Sequence, residues 1–260
     1  MGGDTSEIFD VYAGDLVQAM QEISSLLIDY PIVAIDTEFP GYFENTVQLS
    51  LLTQRQILSK HASAYAAYKI NVDSLQLIQL GISLSNSAGE TPKPHSTWQF
   101  NMLFDETTPL ATTNSMNLLR EHGIDFPRLS KDGIHPVALS YEIQTSGLIY
   151  NRNLTYVCFH GSSDFGYLTK TVTCSDLPYS KKDFDELLRI LFPGKLYDLK
   201  HCGSWTGSLE SLAGSYGVRW QGFQHQAGSD ALVTLKTFHL LKDSVDFLNP
   251  ANDHVIYGFH

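Results

Sequence analysis

Apolar residues recur at spacings of three and four over residues 15–29, "DLVQAMQEISSLLID". Leu16, Met20, Ile23 and Leu27 fall on one face, which predicts an amphipathic helix. Pro31 stops it. Residues 32–39 then open with four successive apolar positions, as a strand buried on both faces does. Residues 40–70 carry no clear period, apart from a possible helical turn over Ala62–Ala67. Alternation returns at 75–85, "LQLIQLGISLS", and 96–104, "STWQFNMLF", reads as a third strand. The stretch 87–96, "SAGETPKPHS", is the turn that joins them. Further on, helices are expected at 114–122 and 136–146, a strand at 154–160 and a helix at 164–173. A helix at 183–192, a short strand at 196–200 and helices at 208–216 and 229–242 complete the series. Three strands followed by alternating helices and strands predict an α/β fold, a mixed sheet with helices on its faces. No break divides the chain, so residues 1–260 are expected to form a single domain, with 243–260 as a peripheral tail.

Composition changes this picture little. The chain is 43% apolar and 17% charged, enough for one sizeable core. Charge changes it more. Twenty-eight acidic against 17 basic residues give a formal charge of −11, which argues against a broad basic surface for nucleic acid. It leaves open a nucleic-acid enzyme whose acidic residues hold cations, because bound divalent ions reverse the local field. Cys158, Cys174 and Cys202 have no metal-ligand spacing and suit a reducing compartment, cytosol or nucleus. No apolar run approaches the 18 residues or so that a membrane span needs, so no membrane partner is expected.

The candidate chemistry begins with Asp36 and Glu38 at the end of the buried run "IVAIDTEF". Side chains two apart on a strand share a face, about 6.6 Å apart along the backbone. Two like charges that close raise each other's pKa unless a cation sits between them. For two acids alone, a strand end reaching solvent explains as much. Asp164, in "FHGSSDFG" (159–166), falls at a strand-to-helix junction where an Asp is also a favoured cap. Asp230, in "HQAGSD" (225–230), opens an apolar helix, with His225 on the loop before it. Each of these alone reads as a helix cap. Together they describe four carboxylates at adjacent strand ends, which cannot all stay charged without cations. Such a set can hold two metals about 3.5–4 Å apart, one activating water and one stabilising a leaving oxygen. His225 suits general-base duty near neutral pH.

The set Asp36-x-Glu38, Asp164 and His225-x4-Asp230 resembles the His-containing DEDD exonucleases, which have a ribonuclease H-like fold. The stretches "AIDTEFPG", "NVDSLQLIQLG", "STWQFN", "FHGSSDFGYL" and "HQAGSD" further resemble the carbon catabolite repressor-associated factor (Caf/Pop) deadenylases, from about Ile8 to Lys242. The resemblance implies a ribonuclease H-like mixed sheet of five to six strands. It implies a 3′-to-5′ exoribonuclease that removes poly(A) tails and releases 5′-AMP, using two divalent ions, Mg2+ or Mn2+. Asp36, Glu38, Asp164 and Asp230 would be the metal ligands and His225 the base. Phe39 would stack on the terminal nucleotide, or simply belong to the core. Poly(A) RNA, the scaffold subunit of the carbon catabolite repressor–NOT complex and a second, unrelated deadenylase are the implied partners, in cytoplasm and nucleus. Residues 42–64 diverge from the family pattern, which bears on rate and tail preference. Two alternatives remain: a DEDD exonuclease acting on DNA or other RNA, and a bridging subunit without catalysis.

Overall fold

The computed structural model describes residues 7–42, 64–106, 113–243 and 247–258; the divergent segment thus lies almost wholly outside the described residues. Six strands form one sheet: β1 (Ile8–Val11), β2 (Ile32–Glu38), β3 (Gln79–Ser85), β4 (Thr97–Asn101), β5 (Thr155–Cys158) and β6 (Lys195–Asp198). Their spatial order is β1-β4-β3-β2-β5-β6. The β2–β3 and β3–β4 pairs are antiparallel, whereas β1–β4, β2–β5 and β5–β6 are parallel.

The ten helices of the described residues are α1 (Leu16–Leu26), α2 (Ala64–Ser74), α3 (Thr113–Glu121), α4 (Phe126–Asp132), α5 (Pro136–Ser146), α6 (Ser162–Thr173), α7 (Lys181–Leu191), α8 (Leu199–Cys202), α9 (Leu209–Ser215) and α10 (Ala227–Leu241). The apolar run of β2 splits between two layers, as strand alternation requires. Val33 and Ile35 pack with α1, α2, α5, α6 and α7 on one face. Ile32 and Ala34 pack with α9 and α10 on the other. Both faces of the central strand are therefore covered, and only its end reaches an open edge. The α1 face expected from the sequence is the buried one: Leu16, Met20, Ile23 and Leu27 are each at most 5% exposed.

Several boundaries move for identifiable reasons. The strand expected over 75–85 begins only at Gln79. Before it, Lys170 of α6 donates through Nζ to the carbonyls of Val72, Asp73 and Leu75 at 2.8–2.9 Å, closing the C-terminal end of α2. The strand expected over 196–200 turns into a helix at Leu199, because the Asp198 carboxylate accepts from the Lys200 amide and caps it. Strand β1 and helix α4 were not expected from the pattern.

The segment 243–260, expected to be a peripheral tail, is not peripheral where it is described. Val255 bridges Tyr197 in parallel along the outer side of β6. Asp253 accepts from the Leu196 amide at 3.0 Å and pairs with Lys195. Phe247 and Ile256 are 2% and 5% exposed, each in one of the two cores. These two apolar residues, too few to show a period, hold the segment down.

Candidate active site

Asp36 and Glu38 occupy the last turn of the pleat in β2, beyond the point at which β2 pairs with β5 (Ala34 opposite Val157). The parallel neighbour leaves off and the two acids protrude at the carboxyl ends of the strands, where open α/β sheets build their sites. Both are half-buried. Thr37, between them, points to the opposite layer and donates its hydroxyl to Asp164 Oδ1 at 2.6 Å. Asp164 thus comes from the α6 layer and meets the β2 acids around the strand end. It does not serve as the α6 cap; the N-cap is Gly161, with no side-chain bond.

The turn that presents Asp164 is pinned by Asp198, a fully buried carboxylate at the end of β6. Asp198 accepts from the amides of His160, Gly161 and Lys200 at 2.9 Å and from Tyr257 at 3.0 Å. From the other layer, α10 brings Asp230 in its first turn. Trp220 donates its indole N–H to Asp230 Oδ1 at 2.6 Å. His225, just before the helix, has a left-handed backbone (φ 58°) and an exposed ring set edge-on to His122, centroids 4.6 Å apart.

Electrostatics tie the four acids together. Burial first, then the charges of Asp164, Asp230 and Glu38, push Asp36 well above the ordinary carboxylate range. Glu38 is raised by burial and by Asp230 and Asp164. Asp164 is pushed up to about 8 by burial, with Asp198 and Asp230 adding to it and the Thr37 hydrogen bonds opposing it. Asp230 is raised by burial and partly relieved by Trp220, His225 and His122. Four acids that depress one another's ionisation act as one group.

The convergence is closest on one side. Ligating atoms of Glu38, His225 and Asp230 lie within 4.8 Å of one another, the one such cluster among the described residues. Asp36 and Asp164 are within electrostatic reach of this group but outside that distance. The donor set fits hard divalent cations: carboxylate oxygens, crowded at a strand end that solvent can reach. The leading charges acting on them, among the described residues, are other carboxylates, with only two imidazoles acting the other way.

Phe39 is half-buried, stacks on Tyr167 with centroids 4.9 Å apart and meets Tyr42 edge-on. Phe165 and Tyr167 are core residues. Sequence reasoning missed Thr37, Asp198, Trp220 and His122. Asp198 carried a usable signal, since it ends an apolar strand as Asp36 nearly does. Trp220 and His122 carried none, because only the folding of two distant loops brings them to Asp230.

A mixed sheet with four acids gathered at its central strand ends has the build of a ribonuclease H-like exonuclease. Comparison with known proteins narrows this. The chain belongs to the CAF1 ribonuclease family, whose model (CAF1 family ribonuclease) matches residues 11–142. It is 36% identical over 237 residues to the poly(A) ribonuclease pop2 of Schizosaccharomyces pombe, covering 90% of this chain and 68% of that protein. The solved S. pombe Pop2p, in a Mg2+- and Mn2+-bound form, superposes with a TM-score of 0.88 at 34% identity over 97% of this chain and all of that one. CCR4-NOT transcription complex subunit 7 of Caenorhabditis elegans is 37% identical over 91% of this chain and 76% of its own length. A chain of the yeast NOT1 MIF4G domain–CAF1 co-crystal superposes with a TM-score of 0.78 at 27% identity, covering 99% of both chains.

Proposed function

We propose that this protein is a poly(A)-specific 3′–5′ exoribonuclease that hydrolyses the terminal phosphodiester of an A-tailed RNA and releases 5′-AMP. The observation that carries this is geometric: Glu38, Asp230 and His225 bring ligating atoms within 4.8 Å of one another at the end of β2, with Asp36 and Asp164 beside them. Asp36, Glu38, Asp164 and Asp230 would hold two divalent cations, Mg2+ or Mn2+. When bound, these supply Lewis-acid polarisation of the attacking water and the leaving oxygen. The chain's own groups do the rest. Thr37 holds Asp164 through Oδ1 and Trp220 holds Asp230 through Oδ1, which fixes how each carboxylate faces the strand end. His225, exposed beside Glu38 and Asp230, takes the proton of the attacking water on an imidazole nitrogen and passes it to solvent. Phe39 flanks the strand end with its ring and would support the last base by stacking.

The named relatives support the substrate and the assembly: a poly(A) ribonuclease, a subunit of the CCR4-NOT complex, and a CAF1 crystallised with a NOT1 domain. We extend both to this chain, with the scaffold subunit and a second deadenylase as partners in cytoplasm and nucleus. Such partners would supply the RNA affinity that a chain of net charge −11 lacks. No helix among the described residues is long and apolar enough to cross a membrane.

Digestion of 5′-labelled RNA ending in A, with and without Mg2+, tests the reading. A ladder that shrinks from the 3′ end only with metal, and disappears with Asp36→Ala, is the expected result. Equal activity of Asp36→Ala would leave the chain a bridging subunit. Faster loss of DNA of equal length would move the substrate to DNA.

A further inference from the structure

The stretches "LIQLG" and "STWQFN" place three amides, Gln79, Gln99 and Asn101, on one polar face of two alternating strands. Alternation alone would turn such a face to solvent, yet all three are at most 3% exposed. Buried amides persist where their hydrogen bonds are met, and these lead to one place.

The first turn of a helix has amides with no partner of its own. In α10 the N-cap residue, Gln226, does not supply one. Its side chain turns away, with Nε2 donating to the His122 carbonyl at 2.7 Å. Instead the sheet reaches up. The Ala227 amide donates to Gln79 Oε1 at 3.3 Å, and the Gly228 amide to Gln99 Oε1 at 2.9 Å. Asp10 of β1 fixes which way these amides face, because a carboxylate only accepts. It takes Gln99 Nε2 at 2.7 Å and Asn101 Nδ2 at 3.1 Å, so Gln99 Oε1 must face the helix. Asn101 Oδ1 in turn takes Gln79 Nε2 at 2.8 Å, which turns Gln79 Oε1 to the helix as well. The contact is intimate: a Cβ on Gly228 would lie 2.9 Å from Gln99 Oε1.

We propose that Gln79 and Gln99 are the N-terminal caps of α10, supplied from the sheet, and so are positioning residues for Asp230. Asp230 sits in that first turn, its amide donating to the Gln226 carbonyl at 3.0 Å in the opening bond of the helix. Unless the turn below it is capped, the turn frays, and the Asp230 carboxylate loses its place opposite Glu38. Asp10, from the edge strand, would set the polarity of the whole relay. This rests on the reading of Asp230 as a cation ligand given above.

Calorimetric titration of Mn2+ into chelator-stripped protein tests the proposal, without RNA and with no turnover. Wild type, Asp230→Asn, Gln99→Met, Gln79→Met and a control, Leu188→Ala in the distant α7 core, are compared. Methionine keeps the length of glutamine and cannot accept strongly. The expected result is that Gln99→Met weakens Mn2+ binding about tenfold or more, as loss of a ligand's supporting contacts does. In the RNA assay kcat falls while KM holds. Leu188→Ala lowers the melting temperature but binds Mn2+ as wild type does. If Gln99→Met does not fold, Gln79→Met, which keeps the shorter Gly228 bond, stands in for it. If Asp230→Asn loses Mn2+ while both glutamine variants bind it normally, the capping proposal is overturned and the site reading stands. If Asp230→Asn binds as wild type does, the site reading fails and takes this inference with it.

Discussion

A single indole hydrogen bond bears on the charge of Asp230. The Trp220 indole holds Oδ1 and so favours the ionised carboxylate. Trp220→Phe keeps most of the bulk and removes the donor. The Asp230 pKa then rises further, and a higher pH is needed to ionise the site. The expected outcome is a kcat about tenfold lower, with the acidic limb of the pH–rate profile displaced to higher pH. An unmoved limb would mean that the indole only packs. Of these residues, the acids were legible in the sequence because strand alternation and helix starts give them addresses. Thr37 was hidden between two louder neighbours. Trp220 lies ten residues from its partner in a loop without period, and nothing local points from one to the other.

At the scale of elements, the site is a joint between a strand end and two helix beginnings, and backbone meets backbone at Gly81. A Cβ there would lie 1.9 Å from the Ala227 carbonyl oxygen and 2.2 Å from its carbon. Backbone cannot step aside as a side chain does, so Gly81→Ala must push α10 off β3. Overpacking of this kind costs about 3 kcal/mol, read in urea unfolding, and Asp230 moves with the helix, so activity should fall further than the folded fraction. Most elements could be read from the pattern: α1, α5 and β2 to β5 announce themselves by period and length. Those that escaped are short, among them α8, four residues read as the end of a strand. β1 has four residues, and α4 has seven, opening on Phe126-Pro127 after the cap Asp125. Neither is long enough for a period to emerge, and β1 is a strand only because β4 lies beside it.

The whole molecule feels the crowded acids as a dependence of stability on pH. Unfolded, Asp164 ionises near its ordinary 3.8; folded, near 8. Between these values the folded chain keeps a proton that the unfolded chain has lost. The stability this proton contributes is complete below about pH 4 and gone once the pH has risen through about 8. Asp36, Glu38 and Asp230 are raised as well and add in the same direction. In a chelator, the melting temperature should therefore fall from pH 5 to pH 8, and Mn2+ should restore it most at the upper end. Asp164→Asn, which has no charge to bury, should flatten that slope in calorimetry while abolishing nuclease activity. A wild-type slope in the variant would contradict the assignment.

The strip of chain over 247–258 lies along β6 and also donates the Tyr257 amide to Asp198. It works as a hem: it covers one rim of the sheet and, through Asp198, keeps taut the turn that carries Asp164. Ending the chain at Asp243 would undo both. The bared rim of β6 becomes an adhesive strip for a second molecule, so the shortened protein should elute earlier than the full chain in size-exclusion chromatography at equal concentration. It should also cut RNA more slowly even where it stays soluble. Fusions and truncations that begin from this end of the sequence are therefore alterations of the nuclease itself.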